Sequence, residues 1–407
     1  MAQILFLTKE VPLPLQANGA TLRINPMVRH LARAHDVDLV LVDEARSDAP
    51  ALLDEAGGFC RSVRRLPHPN LGKLNRLRRT ARGLLDPARP PWEMMDPLSG
   101  VRGEALLKVL AERPYDAVFA VDGVFDLVAR LRRAGRLPQR LVIDWIDAPS
   151  LARERHARKW SGTKAKIAHS RIRRIQAWQR RMNQLVDAAI YIADMDRTHS
   201  GCADLPNVHV VPNGVLRCEG TFERPPGTPP TIGFLGNMSY GPNVDAAVRL
   251  HDRIFRPLAE THPDLRLKVI GRTPAPRVLD LAGPKVEITG EVDSIWPHLA
   301  EVDVMVFPMN LGGGLQNKVL EAVEARCAVV VTHVGAAGLG ERHLDDLVIR
   351  ETDEEFRETV AQLLDDPDAL ARARERSARI RDAFDWSSIL PRFEEIVTGV
   401  TQPPDGS

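Results

Sequence analysis

Short, mostly apolar runs recur along this chain, and stretches with helical spacing separate them. Ile4–Thr8 is the first, followed by Leu22–Ala34 with apolar residues at Ile24, Met27, Val28 and Leu31. Val37–Val42, Ala117–Val121, Leu141–Asp144 and Ala188–Ile192 continue the series. Runs that are apolar throughout, rather than alternating, are buried on both faces, the pattern of a parallel sheet covered by helices. Pro225, Pro226, Gly227, Pro229 and Pro230 then crowd together with the composition of a linker. The rhythm restarts at Thr231–Leu235, Arg266–Ile270, Val286–Thr289, Val304–Phe307 and Ala328–Thr332, and a last helix is expected over Ser387–Thr398, with Trp386 just before it.

The chain therefore reads as α/β, with two successive Rossmann-like doubly wound domains. Its 407 residues are too many for one ordinary core and suit two. The expected division is residues 1–216, residues 217–385, and a helix at 386–401 crossing back to the first domain. Doubly wound sheets bind ligands at the carboxyl ends of their strands, so a cleft across which the two domains face is the expected site. A formal net charge of +1 argues against a bulk nucleic-acid binder. Cys60, Cys202, Cys218 and Cys327 form no CxxC pair and have no His at ligand spacing, which points to a reducing cytoplasm rather than a disulfide or zinc framework. The opening MAQILFLTKEVPLP reads as a buried strand and not a signal peptide, and no apolar run approaches the ~20 residues that span a bilayer.

The segment Asn310–Ala325, NLGGGLQNKVLEAVEA, directly follows the expected strand Val304–Phe307. Gly312, Gly313 and Gly314 permit close backbone approach, and a helix starting near Leu315 offers free N–H groups to an anion. Gln316, Asn317 and Lys318 lie in its first turn, where Lys318 can place a positive charge beside a phosphate. Glu321, three residues on, shares that face, and a carboxylate there suits a ribose diol. The plain alternative is a helix start with a surface Glu–Lys pair.

This segment, with AVVVTHVGAAGL after it, resembles the donor-binding region of family-4 retaining glycosyltransferases, and most nearly a subgroup of sugar transferases associated with exopolysaccharide gene clusters. GFLGNMSYGPNVDA (Gly233–Ala246), VIGRTP (Val269–Pro274) and TGEVDSIWPHL (Thr289–Leu299) extend the resemblance densely through the C-terminal half. LTKEVPLPLQANGATLR and VIDWIDAPS carry it more thinly through the N-terminal half. The resemblance implies the GT-B architecture and a bacterial hexosyltransferase of polysaccharide or glycoconjugate biosynthesis. It implies a UDP- or GDP-type sugar donor, an acceptor hydroxyl, retention, and no metal or other cofactor. At matched positions it places Gly236 and Asn237 at the diphosphate or sugar, Arg272 at the phosphates or base, and Thr289–Val292 at the base through backbone groups. Gly313 and Gly314 would lie under the sugar and diphosphate, Lys318 on phosphate and Glu321 on ribose. Gly19 would give the diphosphate a close backbone approach, with Arg23 one turn later. Two departures stand out: position 313 is glycine where many members carry an acid eight residues before the glutamate, and the loop after Gly236 lacks the usual Arg–Lys pair. A sugar-nucleotide-binding partner subunit without turnover, and a GT-B epimerase or phosphorylase, are the alternative readings.

Asp122 and Asp147 follow N-terminal strands at their carboxyl ends, where either could position or deprotonate an acceptor hydroxyl; helix capping is the competing role. Asp36-Val-Asp38 and Asp194-Met-Asp196 have the DxD form of metal-binding transferases, but the form is short and common. The stretch 153–181 is rich in Arg and Lys with Glu154 as its one acid, and Trp160 and Trp178 interleave. It reads either as a solvated helix drawing in an anionic donor or as a peripheral contact with an anionic membrane. A second basic run at 61–82 would extend that surface.

Overall fold

A computed structural model of the chain describes all residues except 10, 14–18, 43–48, 67–98, 122, 138, 158–159, 216, 219–223, 313–314 and 401–407. It divides into two compact units: Met1–Asn213 with the end of the chain from Ile389, and Gly214–Ser388.

In the first unit the strands are β1 (Gln3–Thr8), β2 (Asp36–Leu41), β3 (Ser62–Arg65), β4 (Ala117–Val121), β5 (Arg140–Asp144), β6 (Ala188–Tyr191) and β7 (Val208–Val210). They form one parallel sheet in the order β3-β2-β1-β4-β5-β6-β7. In the second unit β8 (Thr231–Leu235), β9 (Arg266–Ile270), β10 (Val286–Ile288), β11 (Val304–Phe307), β12 (Ala328–Val331) and β13 (Val348–Ile349) form a second parallel sheet in the order β10-β9-β8-β11-β12-β13. Each order reverses direction once, between β1 and β4 and between β8 and β11. Such a switch point leaves a crevice at the carboxyl ends, because the loops on either side turn to opposite faces.

Central strands are buried along nearly their whole length, as their unbroken apolar runs require. Helices cover both faces with amphipathic stripes. In Gly19–Ala34 the buried side is formed by Ile24, Met27, Val28 and Leu31. The sequence expects this helix from Leu22 with Gly19 in the loop before it; the structure makes Gly19 its first residue.

Two aromatic groups organise the first unit's core. Phe119 of β4 meets Phe6 of β1 at 4.9 Å and Phe393 at 5.1 Å, both edge-on. Phe393 lies on the last helix, Trp386–Thr398, whose Glu394 also accepts from His30 (2.6 Å) and His35 (3.0 Å). On the other face Trp145 packs edge-on against Trp178 at 5.4 Å and stacks on Tyr191 at 6.0 Å. Trp178 therefore belongs to the core and not, as the basic stretch suggested, to a surface shared with Trp160. Its helix, Gly162–Leu185, turns the stripe Ala168, Ile172, Ile175, Trp178 and Met182 inward and its cations outward.

Because Phe119 joins strands and terminal helix in one ring cluster, Phe119→Ala should lower stability by about 3–5 kcal/mol. Urea unfolding followed by tryptophan fluorescence measures it.

Candidate functional site

The second unit builds its crevice from three loops. The loop after β8 runs from Gly236 to Tyr240, the loop after β9 begins at Gly271, and the segment after β11 leads into the helix Asn317–Glu324. The first two touch. The amide of Gly236 donates to the Ile270 carbonyl at 3.0 Å, and the Met238 amide to the Arg272 carbonyl at 3.0 Å. Gly271 has φ +147°, and a Cβ there would sit 1.8 Å from the Gly236 carbonyl oxygen, so only glycine fits.

Lys318, in the first turn of the helix Asn317–Glu324, is buried. Its ammonium donates to Asn243 Oδ1 at 2.6 Å and to Met309 Sδ at 3.3 Å. It also lies 5.2 Å from the ring centre of Phe234 on β8 and 5.9 Å from that of Phe307 on β11. An ammonium has three N–H donors, so two are engaged among the described residues and one is left for another acceptor. Burial pushes its pKa down from 10.5 to about 7, and the Glu321 carboxylate offsets part of that. Glu321 keeps some exposed surface, yet enough protein surrounds its carboxyl for burial to push it up from 4.5 to about 7, with Lys318 opposing. Between about 7 and 10.5 the unfolded lysine binds a proton that the folded one releases, so its contribution to stability rises with pH in that window. Between 4.5 and about 7 the folded glutamate keeps a proton that the unfolded one loses, so its contribution falls with pH there. Two ionisable neighbours whose pKa values are shifted toward each other by burial make this pair a candidate site.

The other residues of this unit expected at the donor lie on the loops after β8, β9, β10 and β11. Asn237 is exposed, and its Oδ1 accepts from the Ser239 amide (3.0 Å) and hydroxyl (2.8 Å), closing a turn on itself. Arg272 is half-buried beside Thr273, which has φ +53°. Thr289 Oγ1 receives the Gly271 amide at 3.3 Å, tying the end of β10 to the β9 loop, and Val292 is half-buried just beyond. Leu315 is buried, and Gln316 precedes the helix without capping it through its side chain. The helix starts two residues later than Leu315. Gly313 and Gly314 lie outside the described residues.

In the first unit Gly19 is exposed, and a Cβ there would meet nothing within 4 Å. Arg23 corrects the sequence reading. Its guanidinium is fully buried and donates to Asp144 Oδ2 (2.7 Å), the Val211 carbonyl (2.9 Å) and Asn213 Oδ1 (3.0 Å). One helical turn from Gly19 leads inward, so this cation braces the carboxyl ends of β5 and β7 and is not an open phosphate ligand. Asp147 is exposed on the loop after β5. That loop is pinned from both sides, because Asp144 Oδ1 accepts the Ile146 amide (2.9 Å) and Asp196 Oδ1 accepts the Ala148 amide (2.8 Å). Ile146 has φ +60°, a conformation a β-branched residue holds only under such constraint. Asp122 lies outside the described residues. Of the DxD residues, Asp38 is taken up by Arg61, Ser62 and Tyr115, and Asp196 accepts the Ala148 amide through Oδ1.

Solved structures share this two-sheet fold across nearly the whole chain. HepE from Anabaena in complex with UDP is 15% identical, covers 98% of this chain and 100% of its own, and superposes with a TM-score of 0.65. A glycosyltransferase from Rickettsia africae gives 11% identity, 98% and 98% coverage and 0.64. WaaG, a glycosyltransferase involved in lipopolysaccharide biosynthesis, gives 14%, 98% and 100%, and 0.61. No curated protein matches. Residues 18–214 match the family model of the glycosyl transferase 4-like domain, and residues 229–366 that of glycosyl transferases group 1. The chain is a GT-B glycosyltransferase.

Two residues of this glycosyltransferase's crevice escaped the sequence reading: Asn243, on the helix Gly241–Arg249, and Met309. Asn243 stands within the GPNVDA segment that carries the resemblance, but nothing in its spacing shows that its amide reaches Lys318. If Arg23 is a brace, Arg23→Met or Asp144→Ala leaves one buried charge alone and should cost about 3–5 kcal/mol in urea unfolding. The dissociation constant for UDP, by titration calorimetry, should stay within about twofold, since Arg23 has no ligand to lose. A tenfold or larger loss of UDP affinity with stability retained would return Arg23 to the donor site.

Proposed function

We propose that this glycosyltransferase takes a hexose from a UDP- or GDP-type donor and passes it to an acceptor hydroxyl of a bacterial polysaccharide or glycoconjugate, with retention and without a metal. HepE, a structural relative, is bound to UDP in one crystal structure and to UDP-glucose in another. The observation that carries the reading is the ammonium of Lys318, buried and with two of its three donors engaged among the described residues, on the first turn of a helix at the switch point. The leaving diphosphate gains negative charge as the C1–oxygen bond breaks. A cation and N–H dipoles fixed there stabilise the transition state more than the ground state. We assign donor binding to the second unit: Lys318 and Arg272 on the diphosphate, Gly236, Asn237 and the glycines at 313 and 314 beneath it, Leu315 and Gln316 at the helix start, Glu321 on the ribose hydroxyls, and Thr289 and Val292 at the base. We assign acceptor binding to the first, with Asp147 or Asp122 to receive the acceptor proton, while Gly19, an open helix start, keeps the diphosphate role that the resemblance gives it. The acceptor oxygen attacks C1 from the face the diphosphate leaves, so no enzyme nucleophile is needed.

Lys318→Ala should slow transfer or donor hydrolysis by ~10–100-fold, the loss of one charge-assisted contact. UDP or GDP in a thermal-shift panel should raise the melting temperature of the native enzyme, with EDTA making no difference. The reading fails if no nucleoside diphosphate does so. Because Lys318 titrates near neutrality, nucleotide binding at pH 8 should take up a proton and weaken as pH rises above about 7.

Peripheral membrane contact through the first unit belongs to the same proposal. The helix Gly162–Leu185 carries no acid, and Lys164, Lys166, Arg171, Arg173 and Arg174 are exposed with no ion-pair partner among the described residues. Trp160 and Ile167 beside them are 50% and 52% exposed. A hollow of about 640 Å³ is lined by Lys166, His169, Arg173 and Arg174 among others. Cations around protruding apolar groups match an anionic bilayer, at about 1 kcal/mol per charge. The protein should sediment with phosphatidylglycerol vesicles and not with phosphatidylcholine ones. The triple variant K166E/R173E/R174E should lose that binding while keeping UDP affinity.

A further inference from the structure

We propose that Asn243 is the positioning residue of the donor site: its side-chain amide latches Lys318 to the loop after β8 without adding a second negative charge to that of Glu321. The proposal rests on the reading that Lys318 meets the donor diphosphate.

Asn243 is buried near the start of the helix Gly241–Arg249. Its Oδ1 accepts from Lys318 at 2.6 Å, and its Nδ2 donates to the Asn237 carbonyl at 3.0 Å. An ammonium only donates and a carbonyl only accepts, so the amide has one orientation that satisfies both. The loop is shaped around it. A Cβ on Gly236 would come within 2.7 Å of Nδ2, so a side chain at 236 would displace the Asn243 amide from this position. One side chain thus joins the β8 loop, its own helix and the lysine-bearing helix.

The choice of an amide matters. A carboxylate there would hold Lys318 more tightly, but its charge would cancel the cation that the diphosphate needs, and it could not donate to Asn237. An aliphatic group would leave a buried ammonium short of an acceptor, and it would shed its proton more readily. Other ionisable groups around Lys318 are few. Glu321 lies on the same helix. On the helix of Asn243, Asp245 is exposed and paired with Arg277 at 3.1 Å, and Arg249 is held by Asp353 at 2.7 Å. Phe234, Phe307 and Met309 carry no charge. Arg272 lies on the neighbouring β9 loop.

The test is the dissociation constant of UDP, and separately of GDP, measured by calorimetry from pH 6 to 9 for the native protein, N243A, N243D and K318A. Affinity that needs a protonated lysine falls on an alkaline limb. In N243A that limb should move about one unit toward acid, with UDP affinity at pH 8 reduced about tenfold and largely restored at pH 6. In N243D the limb should move toward alkali while the plateau affinity drops. Opposite displacements of one limb are not produced by general loosening of the loop. If N243A does not fold, the near-isosteric N243D decides alone. A limb unmoved in the folded variants overturns the proposal. If K318A binds UDP as well as the native protein does, the donor reading itself is wrong; if K318A loses binding and the Asn243 variants keep the native limb, only the role of Asn243 is.

Discussion

A lysine ammonium held out of water needs compensation at short range, and Lys318 finds its hydrogen bonds in an amide oxygen and a thioether, with two aromatic faces behind them. These partners carry partial charges only. Burial therefore outweighs them, and the pKa falls to about 7. The fold carries that desolvation cost itself, and on the proposed reading an anion reaching the crevice would meet an ammonium already largely buried. Preorganisation of this kind is where electrostatic catalysis gains its advantage over solution. The rest of the second unit follows from it: β8 and β11 supply the rings, the switch point between them opens the crevice, and Gly236 and Gly271 let two loops close against each other beside the lysine.

Arg23 shows the opposite use of a buried cation. Asp144 meets it with a full charge, and Val211 and Asn213 add neutral acceptors. An ion pair compensated in this way gives little to an incoming ligand, because binding would first have to break it. Asp144 also accepts the Ile146 amide, so the brace and the platform that presents Asp147 share one carboxylate. Arg23 is thus committed to shape, whereas Lys318 has only neutral hydrogen-bond partners among the described residues.

Much of the fold was legible because central parallel strands must be apolar on both faces. β1, β2, β4, β5 and β6, and likewise β8 through β12, stood out as mostly apolar runs, even where Asp38, Lys268 or Glu287 interrupts one. The strands that escaped notice are β3 (Ser62–Arg65), β7 (Val208–Val210) and β13 (Val348–Ile349), each at the edge of its sheet. An edge strand has one neighbour and partial cover, so it can be short or polar, as SVRR is. Trp178 was misread for a related reason. A tryptophan among arginines looks exposed in a list, whereas on a helix the inward stripe and the outward cations alternate within each turn.

For the site, the amino-acid order alone determined whatever is local: a glycine-rich loop after a strand, a lysine in the first turn of the following helix, and a glutamate three residues on that must share its face. Those relations are set by helical periodicity and survive any tertiary arrangement. Only the folded structure decided which cation is spent and which is kept. Arg23 and Asp144 are 121 residues apart, and Lys318 and Asn243 are 75 apart. A charge's worth depends on the dielectric around it and on partners within a few ångströms, and both are properties of packing, which no spacing along the chain encodes.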